Sequence, residues 1–383
     1  MIKRIALLLA ISSLAFGVAA QATLPLSAIE GAAGGWHAAF VDDFRTGFFN
    51  PAGFTTVAST LQVSSLSMVA TGPFFAFARA LSDSSGDLLS LIGSLFDSSG
   101  RIYAGFDLGT PIAFGFAADG FGFSLYNFSG MTIDAANLTD ISVIFSETVL
   151  IQAAYAFPIS LGGSHYLDLG FGAKTFIVGS SSLQTTLLDL NATLGTLMLN
   201  PAALFTAYPF TLTLGVGLDA GIRYRWGKGF AIAVVARNAV TPSSSTTYTS
   251  ADAFLGTGSA AISSSGQELL PIEVDVGIAF RPGFGELDRF INDLVISVDY
   301  VNVLNLFAPF SRNWLLDIAV GVELRLLDVL TLRGGVREGL PAAGFGIDLT
   351  FMELSFALYG TELGFEPGSR PAFNVAVMLD FSY

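Results

Sequence analysis

The residues best equipped for chemistry in this chain are arginines on one face of alternating stretches: Arg223 and Arg225, then Arg281 and Arg333 further on. A guanidinium kept from water grips a carboxylate through two parallel hydrogen bonds. These four are therefore candidate head-group residues for an acidic ligand. Catalysis has less to work with. His37 and His165 are the only histidines, cysteine is absent, and no His-Glu pair stands at metal-ligand spacing. A Ser/His site at His165 is the remaining enzymatic possibility, but a lone histidine beside a turn is usually solvated or hydrogen-bonded. No catalytic residue, metal or cofactor is expected.

The elements that must position the arginines are strands. From Phe373 to Tyr383 every second residue is apolar: Phe373, Val375, Val377, Leu379, Phe381 and Tyr383. Side chains on a strand alternate faces, so this segment has one oily side and one small or polar side. Val216, Leu218, Ala220, Ile222, Tyr224 and Trp226 alternate with Gly217, Asp219, Gly221, Arg223 and Arg225. Trp314, Leu316, Ile318, Val320, Val322, Leu324 and Leu326 alternate with Leu315, Asp317, Ala319, Gly321, Glu323 and Arg325. Charges collect on one side, as in a membrane barrel whose lumen is polar and whose outside faces lipid.

The pattern predicts fourteen strands, near 58 to 71, 101 to 118, 121 to 132, 144 to 157, 164 to 178, 208 to 226, 229 to 240, 269 to 282, 292 to 303, 313 to 326, 329 to 337, 343 to 350, 353 to 360 and 372 to 383. The expected fold is all-β, a transmembrane antiparallel β-barrel with short connections on the periplasmic side. Long extracellular loops are expected near 72 to 100, 133 to 143, 179 to 207 and 241 to 268. Two three-residue turns, Gly227-Lys228-Gly229 and Leu327-Asp328-Val329, set a register in which Asp219 faces Arg237 and Glu323 faces Arg333.

Composition agrees with a lipid environment. The chain has 35 phenylalanines and 13% charged residues, and its mean hydropathy is +0.63, values unusual where apolar surface must be hidden from water. A helical membrane protein is disfavoured because Asn200-Pro201 and Tyr208-Pro209 break the uncharged stretch from 190 to 218. At the N-terminus, Lys3 and Arg4 precede an apolar run to Ala20, and Ala20-Gln21-Ala22 offers a cleavage site. Residues 1–22 are expected to be a signal peptide. Without Lys3 and Arg4, the remainder of the 17 basic residues stands against 31 acidic ones, a formal charge of about −16. That sign excludes nucleic acid as a partner.

Residues 23–57 precede the barrel of 58–383 and carry specific punctuation: Gly34-Gly35-Trp36-His37-Ala38-Ala39-Phe40-Val41-Asp42-Asp43-Phe44, then Phe48-Phe49-Asn50-Pro51-Ala52-Gly53-Phe54. Pro51 fixes a backbone angle, Asn50 can cap its own turn, and Ala52-Gly53 permit close approach to a wall. This glycine-led stretch with its Asn-Pro-Ala-Gly turn resembles the N-terminus of FadL-like outer-membrane transporters of long-chain fatty acids and other hydrophobic compounds, including PorV-type and spirochaetal barrels. The resemblance implies an N-terminal plug, or hatch, inside a fourteen-stranded barrel, with Asn50, Pro51, Ala52 and Gly53 as its motif. It implies passive uptake of a hydrophobic ligand such as a fatty acid through a monomer in the outer membrane, a setting that brings lipid and the barrel-assembly machinery as partners. Phe44, Phe48, Phe49 and Phe54 are candidate lining for the ligand's tail. Leu88, Leu91 and Leu95, and Leu187, Leu190 and Leu194, recur at helical spacing in two long loops and would form a greasy landing surface. Alternatives are a PorV-like docking or shuttle component of a secretion system, a general porin, or a surface adhesin.

Overall fold

The structure is a computed structural model that describes residues 25–40, 43–76, 101–137, 139–186, 189, 208–256, 262–283, 290–309 and 311–383. Among these, sixteen strands form one antiparallel sheet closed on itself. They are β1 (Thr60–Thr71), β2 (Ile102–Ala118), β3 (Phe121–Asn137), β4 (Asp140–Gly162), β5 (His165–Thr185), β6 (Phe210–Trp226), β7 (Phe230–Val240), β8 (Pro242–Tyr248), β9 (Ile262–Leu269), β10 (Glu273–Phe280), β11 (Ile291–Tyr300), β12 (Ile318–Leu326), β13 (Leu330–Arg337), β14 (Leu340–Asp348), β15 (Met352–Glu362) and β16 (Pro371–Ser382). The ring has fourteen staves, because β7 and β8 run in succession along the single strand β6, and β9 and β10 follow one another opposite them. β1 pairs with β16 to close it. The last residue takes part: Leu61 and Tyr383 exchange backbone hydrogen bonds of 2.7 and 2.9 Å.

Strand parity decides the two faces of the wall. Val216, Leu218, Ile222 and Trp226 are 51–60% exposed, whereas Asp219 and Arg223 between them are buried. An apolar belt of this kind recurs around the barrel and has no stable place in water. In lipid it is the required surface, and a closed sheet leaves no backbone group unpaired there. No helix among the described residues is long and apolar enough to cross a membrane.

Four local expectations change. The loops expected near 133 to 143 and 241 to 268 are largely strand: β3 and β4 meet at a tight turn, and the second region contains the hairpin β8–β9. Residues Trp314–Asp317 form a 3-10 turn ahead of β12, which buries Leu316 and exposes Leu315, the reverse of the alternation expected there. Glu323 does face Arg333. Asp219 does not face Arg237, because the β6–β7 register shifts between Leu218 and Ala220, with Asn238 at a φ of 52°. Such a bulge leaves donors without ladder partners. Asp219 Oδ1 accepts from the Asn238 N–H at 2.7 Å and its carboxylate pairs with Lys174, while Arg237 turns to Glu273 and Asp275. A second break separates β9 from β10 at Pro271, which has no N–H to contribute.

Residues 25–40 and 43–57 pack against inward-facing residues of the wall. Ser27 caps helix α1 (Ala28–Ala32) with a complete capping box through Glu30. Glu30 also accepts from Arg45 at 2.8 Å, which ties α1 to helix α2 (Phe44–Phe49). Asn50 caps the 3-10 turn Pro51–Thr55 by accepting from the Ala52 N–H, and its Nδ2 donates to the Ala38 carbonyl at 2.6 Å. The turn packs directly on glycine in the wall. A Cβ at Gly170 would sit 2.1 Å from Ala52 N, and one at Gly221 would sit 2.0 Å from Asn50 Oδ1. Only a bare backbone admits so close an approach.

Candidate ligand-binding site

The docked segment separates two cavities. The lower one, of about 340 Å3, lies at the end of the barrel with the short turns and is bounded by Phe40 and Thr56 of the segment and by Arg223, Arg225, Lys228 and Arg281 of the wall. Three of the four arginines singled out from the sequence meet here. Arg223 Nε and Arg225 Nε both donate to the buried carboxylate of Asp168, at 3.1 and 2.5 Å, and Arg223 Nη2 holds Thr55 and Thr56 of the segment. Arg281 lies 3.6 Å from Asp293 and covers the Phe40 ring. Arg333 stands apart, donating to Glu323 at 2.7 Å and reaching Glu353 at 3.4 Å. All four guanidinium groups thus have a carboxylate of the protein's own.

The upper cavity, of about 160 Å3, has the segment as its floor, with Trp36, Phe48 and Phe49, and the wall residues Gln152, Lys174, Arg237 and Arg337 around it. Trp36 and Phe49 stack with centroids 5.5 Å apart and planes 9° apart. Arg45 covers the Trp36 ring at 5.8 Å and Arg237 the Phe49 ring at 4.7 Å. The result is a cation-ring-ring-cation column, with each cation attracted to a negative ring face. Phe44 and Phe54 do not reach this cavity; with Phe48 they pack on Ala113, Ala117, Tyr126, Ala154 and Ala156. Leu88, Leu91, Leu95, Leu187, Leu190 and Leu194 lie outside the described residues.

Above the cavity the wall holds two closely packed apolar clusters, with Thr148, Ser181 and Thr213 buried on the same strands. Leu150, Phe176, Val178 and Leu270 form one buried cluster, and Ile102, Ile133, Ile141, Val143 and Leu183 another on the taller side. Lys174 Nζ is 3.0 Å from Asp219, and Arg237 is 2.8 Å from Glu273 and 2.9 Å from Asp275. Gln152 Nε2, buried in the wall, has no hydrogen-bond partner among the described residues, an unusual condition for a buried donor.

Two ionisable groups fasten the floor. Burial would raise the Glu30 carboxyl, but the Arg45 guanidinium and the hydrogen bonds from Ser27 outweigh it and hold it below the ordinary carboxylate value. His37 has an acceptor at each ring nitrogen, Asp299 Oδ2 at 2.5 Å from Nδ1 and the Ala33 carbonyl at 2.8 Å from Nε2. Both nitrogens therefore donate, which only the imidazolium can do. Burial pulls its pKa down; the Asp299 carboxylate and the Ala33 carbonyl raise it further, and the net shift is upward.

Sequence reasoning passed over Gln152, Lys174 and Arg337. The parity that turns Arg333 inward also turns Arg337 inward two steps higher on β13, so that signal was present. Nothing in the sequence marks Gln152 or Lys174, whose importance comes from the shifted register across from them.

No protein-family model and no curated protein matches the sequence. Among solved structures, the chain is similar to a deltaS2 mutant of the TodX monoaromatic hydrocarbon channel, at 12% identity over 93% of this chain and 98% of that one, with a TM-score of 0.50. It is also similar to the toluene transporter TodX of Pseudomonas putida, at 12% identity over 94% and 99% with a TM-score of 0.49. A FadL homologue of Pseudomonas aeruginosa matches at 12% identity over 94% and 99%, with a TM-score of 0.45. At these identities the likeness is one of fold. The FadL-like barrel anticipated from residues 34–54 is met at that level.

Proposed function

We propose that this barrel is an outer-membrane channel for passive uptake of long-chain fatty acids or similar hydrophobic molecules, with residues 23–57 acting as its plug and residues 1–22 as an export signal. The observation that carries this reading is the arrangement of the bore. Residues of the N-terminal segment pack on its inner wall, and a cavity with an aromatic floor remains above them. A general diffusion pore needs a wide polar lumen instead. The solved TodX barrel of similar fold is a monoaromatic hydrocarbon channel, and a cavity floored by aromatic rings suits apolar cargo of that kind.

In this scheme the apolar faces of Leu88, Leu91 and Leu95 and of Leu187, Leu190 and Leu194 collect the molecule at the cell surface. It descends into the upper cavity, where Phe48 and Phe49 meet its tail, and leaves sideways where the wall is weakest. That place is the β6–β7–β8 junction. A lipid-side groove there, lined by Val216, Gly217, Leu218, Val240 and Pro242, shares Gln152 and Lys174 with the upper cavity. Movement is down a gradient, as in any pore without an energy source.

The test is uptake of labelled oleate into proteoliposomes containing the mature chain. Uptake above protein-free vesicles is expected, with no added nucleotide or ion gradient. Equal rates with and without protein would refute the proposal.

A further inference from the structure

Among the described strands, β9 alone has a single neighbour, β8. On its other side the ring stops short. β11 pairs with β10 as far as Tyr300 opposite Val276, and Asn302, at a φ of 50°, then turns the chain into the 3-10 turn Val303–Phe307. No strand among the described residues therefore rises beside β9. The Leu270 N–H donates to the Thr241 carbonyl at 2.9 Å, and the same register runs on to Ser264 opposite Thr247. Backbone groups alternate in direction along a strand, so Ser264, Gly266 and Glu268 address β8, while Ser265, Gln267 and Leu269 turn their N–H and C=O groups to the open side. Residues 262–267 are exposed whichever face they point to.

An open edge is ordinarily blunted by lysine, proline or a bulge. β9 has neither lysine nor proline, and its register shift is confined to the tip, at Ser263. Its surroundings have one sign of charge. No lysine or arginine occurs between Arg237 and Arg281. Of the carboxylates in that span, Glu273 and Asp275 pair with Arg237, and Asp252 and Glu268 have no ion-pair partner among the described residues. We propose that the free edge of β9 is a docking site for an extended, basic segment of another polypeptide, which joins the sheet as an added strand. Main-chain bonds to Ser265, Gln267 and Leu269 hold the segment, and Glu268 on β9 with Asp252 in the short helix Ala251–Leu255 selects its charge. Serine and glycine leave the two faces of β9 too small to select by shape, so charge is the discriminating feature.

A second copy of this chain fits less well. Its β9 brings another Glu268 and no cation, and the two-fold axis that pairs identical edges antiparallel stands normal to the sheet, which would invert one barrel relative to the membrane. β8 pairs with the half of β6 that begins at Phe210, remote from the Gly227-Lys228-Gly229 turn. In the orientation expected from loop lengths that end is extracellular, so the partner arrives from outside the cell. Such docking is separate from whatever the bore carries.

The probe is a fluorescent, end-capped peptide of alternating lysine and threonine, titrated by anisotropy against a chain of residues 23–383 in a neutral-headgroup detergent. One counterpart is the same peptide N-methylated at adjacent central residues, so that neither of its edges completes a ladder; the other has glutamate in place of lysine. Wild type is expected to bind the lysine peptide at least about tenfold more tightly than either, the worth of one or two main-chain hydrogen bonds. Ser265→Pro removes an N–H that faces the open side and none that faces β8. Affinity should fall at least about tenfold in that variant, while Ser265→Val, which keeps the N–H, should match wild type. Hydrogen exchange at Gly266 and Glu268, whose N–H groups face β8, checks that the hairpin has stayed; if proline opens it, the methylated peptide decides. Equal affinity for the methylated peptide, or undiminished binding by an intact Ser265→Pro hairpin, overturns strand addition. Equal affinity for the glutamate peptide overturns the basic partner, as does clustering of proteoliposomes without peptide that Ser265→Pro abolishes, which would make a second copy the occupant. Binding of no peptide overturns the docking site and leaves the channel reading standing.

Discussion

Single residues hold the N-terminal segment in place, and two of them give sharp tests. Gly170 supports the Asn50-Pro51-Ala52 turn so closely that any side chain collides with the Ala52 backbone. Gly170→Val suits a strand but not this contact. The barrel should form and the turn should detach, seen as loss of hydrogen-exchange protection at Gly53 and Thr56, whose N–H groups are bonded within the turn. Retained protection would mean that the turn tolerates displacement. His37 gives a pH dependence with a definite sign. Its folded pKa lies above the ordinary histidine value of 6.5, so its contribution is complete below that value and is lost as pH rises through the folded one. Asp299 and the Ala33 carbonyl face the ring, and Arg337 is the nearby cation that opposes it. Protection of residues 25–40 in wild type relative to His37→Gln should therefore shrink as pH rises above about 6.5. A difference independent of pH would show that the ring is held neutral.

At the scale of elements, the barrel's irregularity is concentrated where β7 gives way to β8 and β9 to β10. Register shifts by two residues across β6, and side chains replace missing ladder bonds: Asp219 serves the Asn238 N–H, and Asn302 and Asp275 serve each other's neighbourhood where the β10–β11 ladder ends. Gly217 faces Thr241 across this junction, and a Cβ built on it lies 2.5 Å from Thr241 Oγ1. The chain has no cysteine, so the pair Gly217→Cys and Thr241→Cys would introduce a single possible disulfide between two positions in direct contact. If ligand leaves sideways here, oxidation should slow oleate uptake several-fold, on the order expected when a gating step becomes limiting, and reductant should restore it. Uptake indifferent to oxidation would place the exit elsewhere.

For the whole molecule, barrel and docked segment are physically separable. The wall closes through its own ladder, β1 to β16, and does not use the segment as a stave. Deleting residues 23–57 should leave a barrel that folds in detergent and resists unfolding by SDS until heated. In a planar bilayer its single-channel conductance should exceed that of a chain of residues 23–383 by several-fold, as a cleared lumen admits ions. Matching conductances would mean that the segment does not limit the bore. The negative charge of the chain as a whole coexists with inward-facing cations on both sides of the segment, most of them paired with the chain's own carboxylates.

Much of the architecture was legible because strand parity is a local property. The two-residue period in 216–226 and 373–383 assigned lipid and lumen faces, the short turns at Gly227-Lys228-Gly229 and Leu327-Asp328-Val329 assigned register, and the even stave count followed. Tertiary structure decided what parity cannot express. A bulge at Asn238 sent Asp219 to Lys174 instead of Arg237, and the hairpin β8–β9 arose in a stretch of serines and threonines with no apolar alternation to announce it. The site itself joins residues far apart in sequence, His37 with Asp299 and Gly35 with Arg337. Which strand edge remains open depends on every other ladder in the sheet, so only the assembled barrel could single out β9.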